Sequence, residues 1–510
     1  MKSVKAYFKE RNPEVKLFYG YTSYIIIGLT LLSIPFFRKT AISTIDNLFI
    51  TVSAISTTGL STVSIADSYN LLGQIVILIL IQMGGIGYMT FGSFIILSTK
   101  NKISKDRESV HKTSFSLPKD FSMKKFIKSI VIYTLIIEIV GALLLYFAFS
   151  LDNRANCIWS SIFHSISSFC TAGFSLYNNS FESYAHNTYL NIVVFTLSIL
   201  GAIGYIVMVD VWLLLRGKKD KITFTSKVIL STTFILLILG TFFLFFEAAL
   251  KNNSSYLGLN VFLESFFQSM TALTTVGFNT VPIGGLHSSS LFILTILMII
   301  GASPSGTGGG IKSTSLSAIF GVLSSVFSQK KEYVNYDIKN DRQLLKQVFN
   351  KNNFWYRNFH KNKEKKSDGE KETEKKLDNA DNLDSIFGEV FKIKLMKRTI
   401  PFDRVIHASA TFIFYFLILF LGVLLLLTVE KFSFEDIFFE SASALGTVGL
   451  STGITSSFSN IGKFILIILM FIGRIGPITF GIVLFKNRKI NIKEDEIKDD
   501  ETKEYEDIVI

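Results

Sequence analysis

The chain has 510 residues and a formal net charge of +12, from 52 Lys and Arg against 40 Asp and Glu. Charged residues make up 18% of it, whereas a soluble globular protein usually carries about 25% charge. Its two cysteines, Cys157 and Cys170, are too few for a secreted disulfide scaffold. The composition excludes that class and a string of ordinary soluble domains. Membrane topology explains the basic balance better than nucleic-acid binding does.

Long stretches without Asp, Glu, Lys or Arg are the main feature of the sequence. They cover 17–37, 68–99, 187–209, 228–246, 265–311, 405–429 and 441–462. Mostly apolar stretches of about 18 or more residues are typical of membrane spans. In chain order we predict eight long apolar helices, at 17–36, 71–98, 126–150, 188–215, 224–249, 290–325, 402–429 and 461–485.

A short, less apolar segment between the two helices of each consecutive pair ends in a Thr/Gly cluster. The four clusters share the pattern T-x-G-[LF]-[SN]; they are Thr57-Thr58-Gly59-Leu60-Ser61, Thr171-Ala172-Gly173-Phe174-Ser175, Thr275-Val276-Gly277-Phe278-Asn279 and Thr447-Val448-Gly449-Leu450-Ser451. A motif that recurs in this way is an internal repeat. We therefore predict an all-α polytopic membrane protein of four helix–pore-loop–helix units, arranged pseudo-fourfold around one central pore.

The predicted organisation has eight segments. They are a cytoplasmic N-terminus (1–16), repeat 1 (17–98), a cytoplasmic loop (99–125), repeat 2 (126–216), repeat 3 (223–328), a charged cytoplasmic insertion (329–398), repeat 4 (400–486) and a cytoplasmic tail (487–510). The insertion holds 18 Lys and Arg and 12 Asp and Glu. This charge density with low hydrophobicity favours disorder, so the insertion is predicted to be a spacer whose role stays open.

Basic residues indicate the orientation. Nine of them lie from Lys100 to Lys128. Further basic residues lie at the N-terminus, between Arg216 and Lys227, in the insertion and in the C-terminal tail, none of which contains a Thr/Gly cluster. Short loops rich in Lys and Arg are cytoplasmic. Both termini and the insertion are therefore predicted to be cytoplasmic, with all four clusters on the outer side of the cell membrane. In an inverted-repeat transporter, successive repeats would instead have opposite orientations in the membrane.

The clusters have the composition of a cation filter. Irregular backbone at membrane depth is tolerated only where it is buried or lines a watery path. Backbone carbonyls can replace the water of a dehydrated cation, Thr adds a hydroxyl oxygen, and Gly allows positive φ. The predicted filter residues are Thr57, Thr58, Gly59, Thr171, Ala172, Gly173, Thr275, Val276, Gly277, Thr447, Val448 and Gly449.

The second helix of repeat 3 contains a predicted break between Gly301 and Ser313. Glycine costs about 1 kcal/mol and proline about 3 kcal/mol in a helix interior, so regular helix is disfavoured there. A lipid-facing loop is excluded, which directs the break toward the permeation path as a gate, although a structural kink is an alternative. A nucleotide-binding P-loop is rejected because Ile311, not glycine, precedes Lys312. The predicted gate residues are Gly301, Ser303, Pro304, Gly306, Gly308, Gly309, Gly310, Lys312 and Arg474.

Arg474 lies inside the last predicted helix. A charge near the bilayer centre costs about 2.5–3.5 kcal/mol on insertion scales, so it normally faces a pore or a partner. A positive charge below the filter would raise a barrier to cations. The alternative is a structural arginine bound to backbone carbonyls, and both roles can hold if the gate segment supplies the carbonyls.

The remaining candidates carry weaker signals. Glu138 is interpreted as a partner charge or a protonated carboxyl, and Asp210 as a solvated ion-pair partner of Arg216. Glu264 and Glu440 precede filters, where they could attract cations at the pore mouth or cap pore helices. Cys170 is expected to serve packing. The six histidines lack metal-ligand spacing.

These motifs resemble the membrane subunit of a Ktr-type potassium uptake system, in the Trk/Ktr/HKT superfamily, over most of 17–325 and 400–485. The resemblance implies one filter glycine per repeat and K⁺ at Gly59, Gly173, Gly277 and Gly449. It also implies an intramembrane gate at 302–312 with a pore-lining basic residue at Arg474. Serine at the first filter position accompanies sodium selectivity in plant relatives, so Gly59 implies potassium preference. A first repeat starting near residue 17 favours the Ktr branch over Trk, which is expected to have two further N-terminal helices.

The same resemblance implies the partners. We expect a homodimer in the lipid bilayer that docks on a cytoplasmic regulatory ring, and this ring binds nucleotide. On this chain itself we expect no cofactor and no nucleic acid, and Na⁺ is a possible co-ion. The predicted function is potassium uptake without enzymatic activity. The alternatives are a sodium-conducting or sodium-coupled relative, or the potassium-binding membrane subunit of an ion-pumping ATPase.

Overall fold

The computed structural model describes residues 13–87, 123–152, 156–217, 219–251, 258–328, 394–395, 398–400 and 402–485. The predicted loop 99–125, insertion 329–398, N-terminus 1–16 and tail 487–510 lie wholly or largely outside these residues. The chain divides into two units, one of Met1–Ser317 with His407–Ile510 and one of Ala318–Ile406. In the second unit, strand β1 (Lys394–Leu395) pairs antiparallel with β2 (Arg398–Thr399).

The described helices follow the predicted fourfold repeat. Repeat 1 comprises α1 (Pro13–Ser33), α2 (Thr44–Ser56), α3 (Ile65–Ser68) and α4 (Leu71–Ile86). Repeat 2 comprises α5 (Met123–Leu151), α6 (Cys157–Phe169), α7 (Thr188–Ala202) and α8 (Tyr205–Leu215). Repeat 3 comprises α9 (Phe224–Lys251), α10 (Leu259–Thr274), α11 (Ser288–Ile300) and α12 (Ser313–Ser328). Repeat 4 comprises α13 (Phe402–Val429), α14 (Phe434–Gly446), α15 (Asn460–Ile475) and α16 (Pro477–Phe485).

Each repeat thus holds a long first helix and a short pore helix (α2, α6, α10 or α14), and in repeats 2, 3 and 4 the second helix is interrupted. Among the described residues, four helices are long and apolar enough to cross a membrane, and two bent pairs raise the number to as many as six. Apolar side chains remain exposed along the long helices, including Ile139 and Leu143 on α5. Such exposure suits a surface that faces lipid.

The prediction of continuous helices at 188–215 and 461–485 is wrong. Both are bent by 101°, between Ala202 and Tyr205 and between Ile475 and Pro477. Gly204 and Gly476 stand at the bends with φ of 89° and 93°, which ends a right-handed helix and suits a residue without Cβ. Helix α4 also ends before a glycine with positive φ, Gly87, and part of the predicted helix 71–98 lies outside the described residues. The predicted interruption of repeat 3 is present between Ile300 and Ser313.

The pore helices are anchored by a phenylalanine ten residues before each repeat's T-x-G glycine. These side chains are buried in all four repeats: Phe49, Phe163, Phe267 and Phe439. The residue directly after each glycine is buried as well: Leu60, Phe174, Phe278 and Leu450. Burying such a side chain stabilises its position by about 1.5–3 kcal/mol, so apolar anchors hold the T-x-G segment on both sides.

Candidate functional site

Each pore helix ends at a threonine in the left-handed region of backbone space. The φ values are 53° for Thr57, 49° for Thr171, 58° for Thr275 and 50° for Thr447. The following amide bonds back to the helix, as from Thr58 N to Ser53 O at 2.8 Å, which makes a Schellman-type ending. Glycine normally holds the left-handed position, whereas a β-branched residue there costs about 1–3 kcal/mol. Strain repeated at four equivalent positions indicates a function for the threonines.

The four T-x-G glycines meet in a closed ring. A methyl group added to any of them would collide with the carbonyl oxygen that precedes the next repeat's glycine: Gly59 with Ala172, Gly173 with Val276, Gly277 with Val448, and Gly449 with Thr58. The added methyl would also approach the next glycine's Cα at 2.9–3.2 Å. The contacts run through repeats 1, 2, 3 and 4 and return to repeat 1. The backbone of all four repeats therefore surrounds one axis, and only glycine fits the contact points.

A cavity of about 590 Å³ opens above the ring. It is lined by the four glycines and by the residues that follow them in each repeat. Its polar lining includes Ser61, Ser175, Asn279 and Ser451, and Glu182 is the one ionisable carboxylate among the described lining residues. Glu182 accepts a hydrogen bond from the side-chain amide of Asn279 at 2.9 Å. A polar chamber thus leads to the ring.

The interrupted segment of repeat 3 crosses the other side of the ring, directly against the threonines. Thr171 Oγ1 donates to Thr307 Oγ1 at 3.0 Å, and Thr307 Oγ1 donates to Phe169 O at 3.2 Å. The amide of Gly309 donates to Thr275 Oγ1 at 3.0 Å. A methyl group on Gly309 would collide with Thr447 Oγ1. Thr57 Oγ1 also donates to Thr307 O at 3.4 Å, so the segment touches the pore-helix ends of all four repeats.

Arg474 completes this set of contacts on the side of repeat 1. Its Nη1 donates to Thr57 Oγ1 at 2.8 Å and to Thr307 O at 2.5 Å, and its Nη2 donates to Gly84 O. Lys312 Nζ donates to Gly308 O at 2.5 Å within the same segment. Arg474 is thus bound to backbone carbonyls, as the structural alternative expected, and one of these carbonyls belongs to the interrupted segment; its role as a barrier to cations stays a prediction.

The interrupted segment also packs on the bend of repeat 2. Ser303 Oγ donates to Ala202 O at 2.8 Å, and the amide of Tyr205 donates to Ser305 O at 3.2 Å. A methyl group on Gly306 would collide with Ala202 O. The predicted interruption of repeat 3 and the bend of repeat 2, which was not predicted, therefore pack against each other below the ring.

Several acidic side chains have other partners than expected. Asp210 pairs with Lys219 at 2.6 Å, whereas Arg216 lies 4.2 Å from the centre of the Trp212 ring, so the predicted Asp210–Arg216 pair is wrong. Asp210 is also buried, not solvated. Glu264 lies 3.8 Å from His186. Glu138 is buried and accepts from Gln82 at 2.9 Å.

Glu440 and Cys170 are also buried. Glu440 bonds to the segment after the fourth glycine, so it neither caps its helix nor faces the mouth as expected. The buried thiol of Cys170 fits the expected packing role, and a methyl group on Gly85 would collide with its side chain.

Sequence reasoning missed the anchoring phenylalanines and the bends at Gly204 and Gly476. The phenylalanines had a signal, because each stands at the same distance from its T-x-G glycine. The dipeptide Gly476-Pro477 is a turn signal inside an apolar helix. Aligning the repeats on the T-x-G glycines would have found the phenylalanines but not the bends, because Gly204 lies 31 residues after Gly173 and Gly476 lies 27 residues after Gly449.

Comparison with known proteins decides the family. The model of the TrkH family, described as "Cation transport protein", matches residues 22–489. The chain belongs to the TrkH family of cation transport proteins. The predicted membership of the Trk/Ktr/HKT superfamily is confirmed, and the chain is a multi-pass membrane transport protein, not an enzyme.

Relatives match nearly the whole chain. It is 30% identical over 489 residues to the "Ktr system potassium uptake protein B" of Bacillus subtilis (strain 168), with 94% of this chain and 95% of that protein covered. It is 31% identical over 493 residues to the "Potassium/sodium uptake protein NtpJ" of Enterococcus hirae, with 94% and 95% covered.

The fold is also known from experiment. The crystal structure of the potassium transporter TrkH from Vibrio parahaemolyticus superimposes with a TM-score of 0.62 at 17% identity, covering 93% of this chain and 85% of that chain. This similarity confirms the predicted all-α fold with a pseudo-fourfold pore-loop arrangement.

Proposed function

We propose that this chain is the ion-translocating membrane subunit of a potassium uptake system. The observation that carries the proposal is the closed ring of Gly59, Gly173, Gly277 and Gly449, in which each glycine abuts a backbone carbonyl of the next repeat. Carbonyl oxygens around one axis can replace the hydration shell of an alkali cation. The relatives named for potassium uptake support K⁺ as the transported ion.

The filter supplies its oxygens from strained backbone. The left-handed threonines turn the chain at the end of each pore helix, so that carbonyls after the turn face the axis. The pore-helix C-termini carry partial negative charge toward the same axis, which favours a cation there. Uptake needs no nucleotide hydrolysis by this chain, because an inside-negative potential supplies about 2.3 kcal/mol per charge per 100 mV.

The segment between Gly301 and Lys312 acts as the gate. It touches Thr171, Thr275 and Thr447 directly, and it contacts Thr57 both through Arg474 and through a hydrogen bond from Thr57 Oγ1 to Thr307 O at 3.4 Å, so it obstructs the path just below the filter. The positive charges of Arg474 and Lys312 add an electrostatic barrier to cations. Opening requires these bonds to break while the ring above stays intact.

The assembly and orientation follow from the family resemblance and the charge pattern. A homodimer in the cell membrane would dock, through its basic cytoplasmic loops, on a regulatory ring that binds nucleotide. Both termini lie in the cytoplasm according to the distribution of Lys and Arg. This chain itself holds no cofactor.

A sodium-linked mode is the second candidate. The relative from Enterococcus hirae, 31% identical, carries "Potassium/sodium" in its name. Glycine at all four filter positions favours potassium in the filter, so sodium would enter as a coupling or activating ion.

Growth rescue tests the proposal. A potassium-uptake-deficient bacterium that expresses this chain, with and without its soluble partner, should grow at low external K⁺. Rubidium uptake into the same cells, with and without Na⁺, separates the two candidates. Absence of rescue by a chain shown to reach the membrane, or a Na⁺ flux larger than the K⁺ flux, would refute potassium uptake.

A further inference from the structure

One position behind the filter carries a different side chain in every repeat. Nine residues before each filter glycine stand Ile50, His164, Gln268 and Glu440. All four are buried in the pore helices, and three of them are polar. A buried polar group is costly unless it is hydrogen-bonded, so the partners of these three side chains show what they do.

In repeat 4, Glu440 holds the segment that follows Gly449. One carboxylate oxygen, Oε1, accepts from Ser451 Oγ at 2.5 Å and from the amide of Thr452 at 3.1 Å. The other, Oε2, accepts from Thr455 Oγ1 at 2.9 Å. Three donors from one short loop converge on a fully buried side chain, which fixes the loop two, three and six residues after the glycine.

In repeat 2, His164 makes the corresponding contacts. Its Nδ1 lies 2.7 Å from Ser160 O and must donate, because a carbonyl oxygen only accepts. Its Nε2 accepts from the amide of Leu176 at 3.3 Å and lies 3.0 Å from Ser175 Oγ. Hydrogen-bond partners thus assign the neutral Nδ1–H tautomer, which binds the chain two and three residues after Gly173.

In repeat 3, Gln268 Nε2 donates to Thr280 Oγ1 at 3.1 Å, three residues after Gly277. Repeat 1 differs, because Ile50 offers no hydrogen bond. There Ser53 Oγ donates to Leu60 O at 2.7 Å, a bond that recurs in repeat 2 between Ser167 Oγ and Phe174 O at 2.9 Å. In repeat 1 the position nine residues before the glycine thus contributes no hydrogen bond, whereas repeat 2 has both the histidine bonds and the serine bond.

We propose that Glu440, His164 and Gln268 are positioning residues for ion selectivity, with Glu440 the strongest. This inference rests on the proposed potassium function. In repeats 2, 3 and 4 the filter glycine lies between two fixed points: the amide bond back to the pore helix before it, and the bond from the chain after it to the buried polar side chain of the pore helix. Removing the second point lets the ring widen or tilt, which weakens the preference of a carbonyl ring for K⁺ over Na⁺.

Paired variants of Glu440 test the inference in proteoliposomes that report both ⁸⁶Rb⁺ and ²²Na⁺ uptake. Glu440→Ala should lower the Rb⁺/Na⁺ uptake ratio about tenfold, the factor that corresponds to about 1.4 kcal/mol. Glu440→Gln keeps an oxygen for the Thr452 amide and an NH₂ group for Thr455 Oγ1, so it should stay close to the wild-type ratio. Ile437→Val, a buried change on the same pore helix, is the control and should leave the ratio unchanged.

The outcomes separate this inference from the proposed function. A Rb⁺-selective wild type with an unchanged ratio in Glu440→Ala overturns the positioning role alone, whereas a wild type without Rb⁺ uptake refutes the function. A ratio as low in Glu440→Gln as in Glu440→Ala would assign the effect to charge and also overturn positioning. If Glu440→Ala fails to fold, Gln268→Leu should lower the ratio by the loss of its single bond, and an unchanged ratio there counts against the proposal.

Discussion

Arg474 Nη1 donates to the hydroxyl of Thr57 at 2.8 Å, which joins the last long helix of the fourth repeat to the end of the first pore helix. The same nitrogen donates to Thr307 O at 2.5 Å. One guanidinium therefore holds the filter of repeat 1, the gate segment of repeat 3 and its own repeat together. Under the proposed function, we expect these bonds of Arg474 to stabilise the closed state, in addition to the electrostatic barrier of its charge.

Replacement of Arg474 should open the pathway. Arg474→Gln removes charge-assisted bonds to Thr57, Thr307 and Gly84, and one such bond is worth about 1.5–3 kcal/mol, or roughly 10–100-fold in a closed–open equilibrium. We expect faster ⁸⁶Rb⁺ uptake into proteoliposomes without a regulatory partner. Arg216→Gln, which alters an arginine stacked on Trp212, is the control. Unchanged or slower uptake by a monodisperse Arg474→Gln protein would contradict the role.

The gate segment can be loosened at a single hydroxyl. Thr307→Ala removes the bonds to Thr171 and to Phe169 O, so we expect a several-fold rise in ⁸⁶Rb⁺ uptake, and a larger rise when several residues within 303–310 are deleted. Thr295→Ala is the matched control, since the hydroxyl of this buried threonine donates to Leu291 O within its own helix. If deletion abolishes transport while the protein stays folded, the gate assignment fails.

Gly59→Ser should weaken discrimination against Na⁺. The φ of Gly59 is 89°, and a Cβ there would collide with Ala172 O, so serine displaces the ring at the contact between repeats 1 and 2. Competition of Na⁺ with ⁸⁶Rb⁺ uptake measures the change. Gly285→Ser serves as the reference, because Gly285 lines the cavity next to the glycine ring with open space around it. Equal selectivity in the two variants would argue against the filter position.

The ion pair between Lys463 and Asp46 predicts that the stability of the protein depends on pH. Lys463 Nζ lies 2.8 Å from Asp46 Oδ1, with side-chain exposures of 11% and 15%. Burial raises the pKa of Asp46, but hydrogen bonds from Lys463 and Ser43 outweigh it and hold the pKa below its usual value. Lys463→Met should lower stability by about 1 kcal/mol at pH 7.

That difference has a defined pH window. Because the native pKa of Asp46 is depressed, the stabilisation is complete above the unfolded value of about 3.9 and is lost as the pH falls through the native value. Thermal unfolding in detergent from pH 7 to pH 3 measures it, with the exposed Lys431→Met as control. A difference that grows on acidification would contradict the ion pair.

The repeat and its motif were readable because four T-x-G segments recur between apolar helices. The bends at Gly204 and Gly476 were missed because apolar character continues across them, although Gly476-Pro477 carries a local turn signal. The partners of Glu440 and Arg474 could not be predicted. These partners lie 11 or more residues away for Glu440 and hundreds of residues away for Arg474, and no local pattern encodes such contacts. The local sequence motif thus predicts the filter, whereas the side-chain contacts that support the filter depend on the tertiary structure.

The four unequal side chains behind the ring have an evolutionary consequence. In a channel assembled from four identical subunits, any substitution arises in all quadrants at once. Here a single gene encodes every quadrant separately, so isoleucine, histidine, glutamine and glutamate can occupy equivalent places. Selection can thus adjust the permeation properties one quarter at a time.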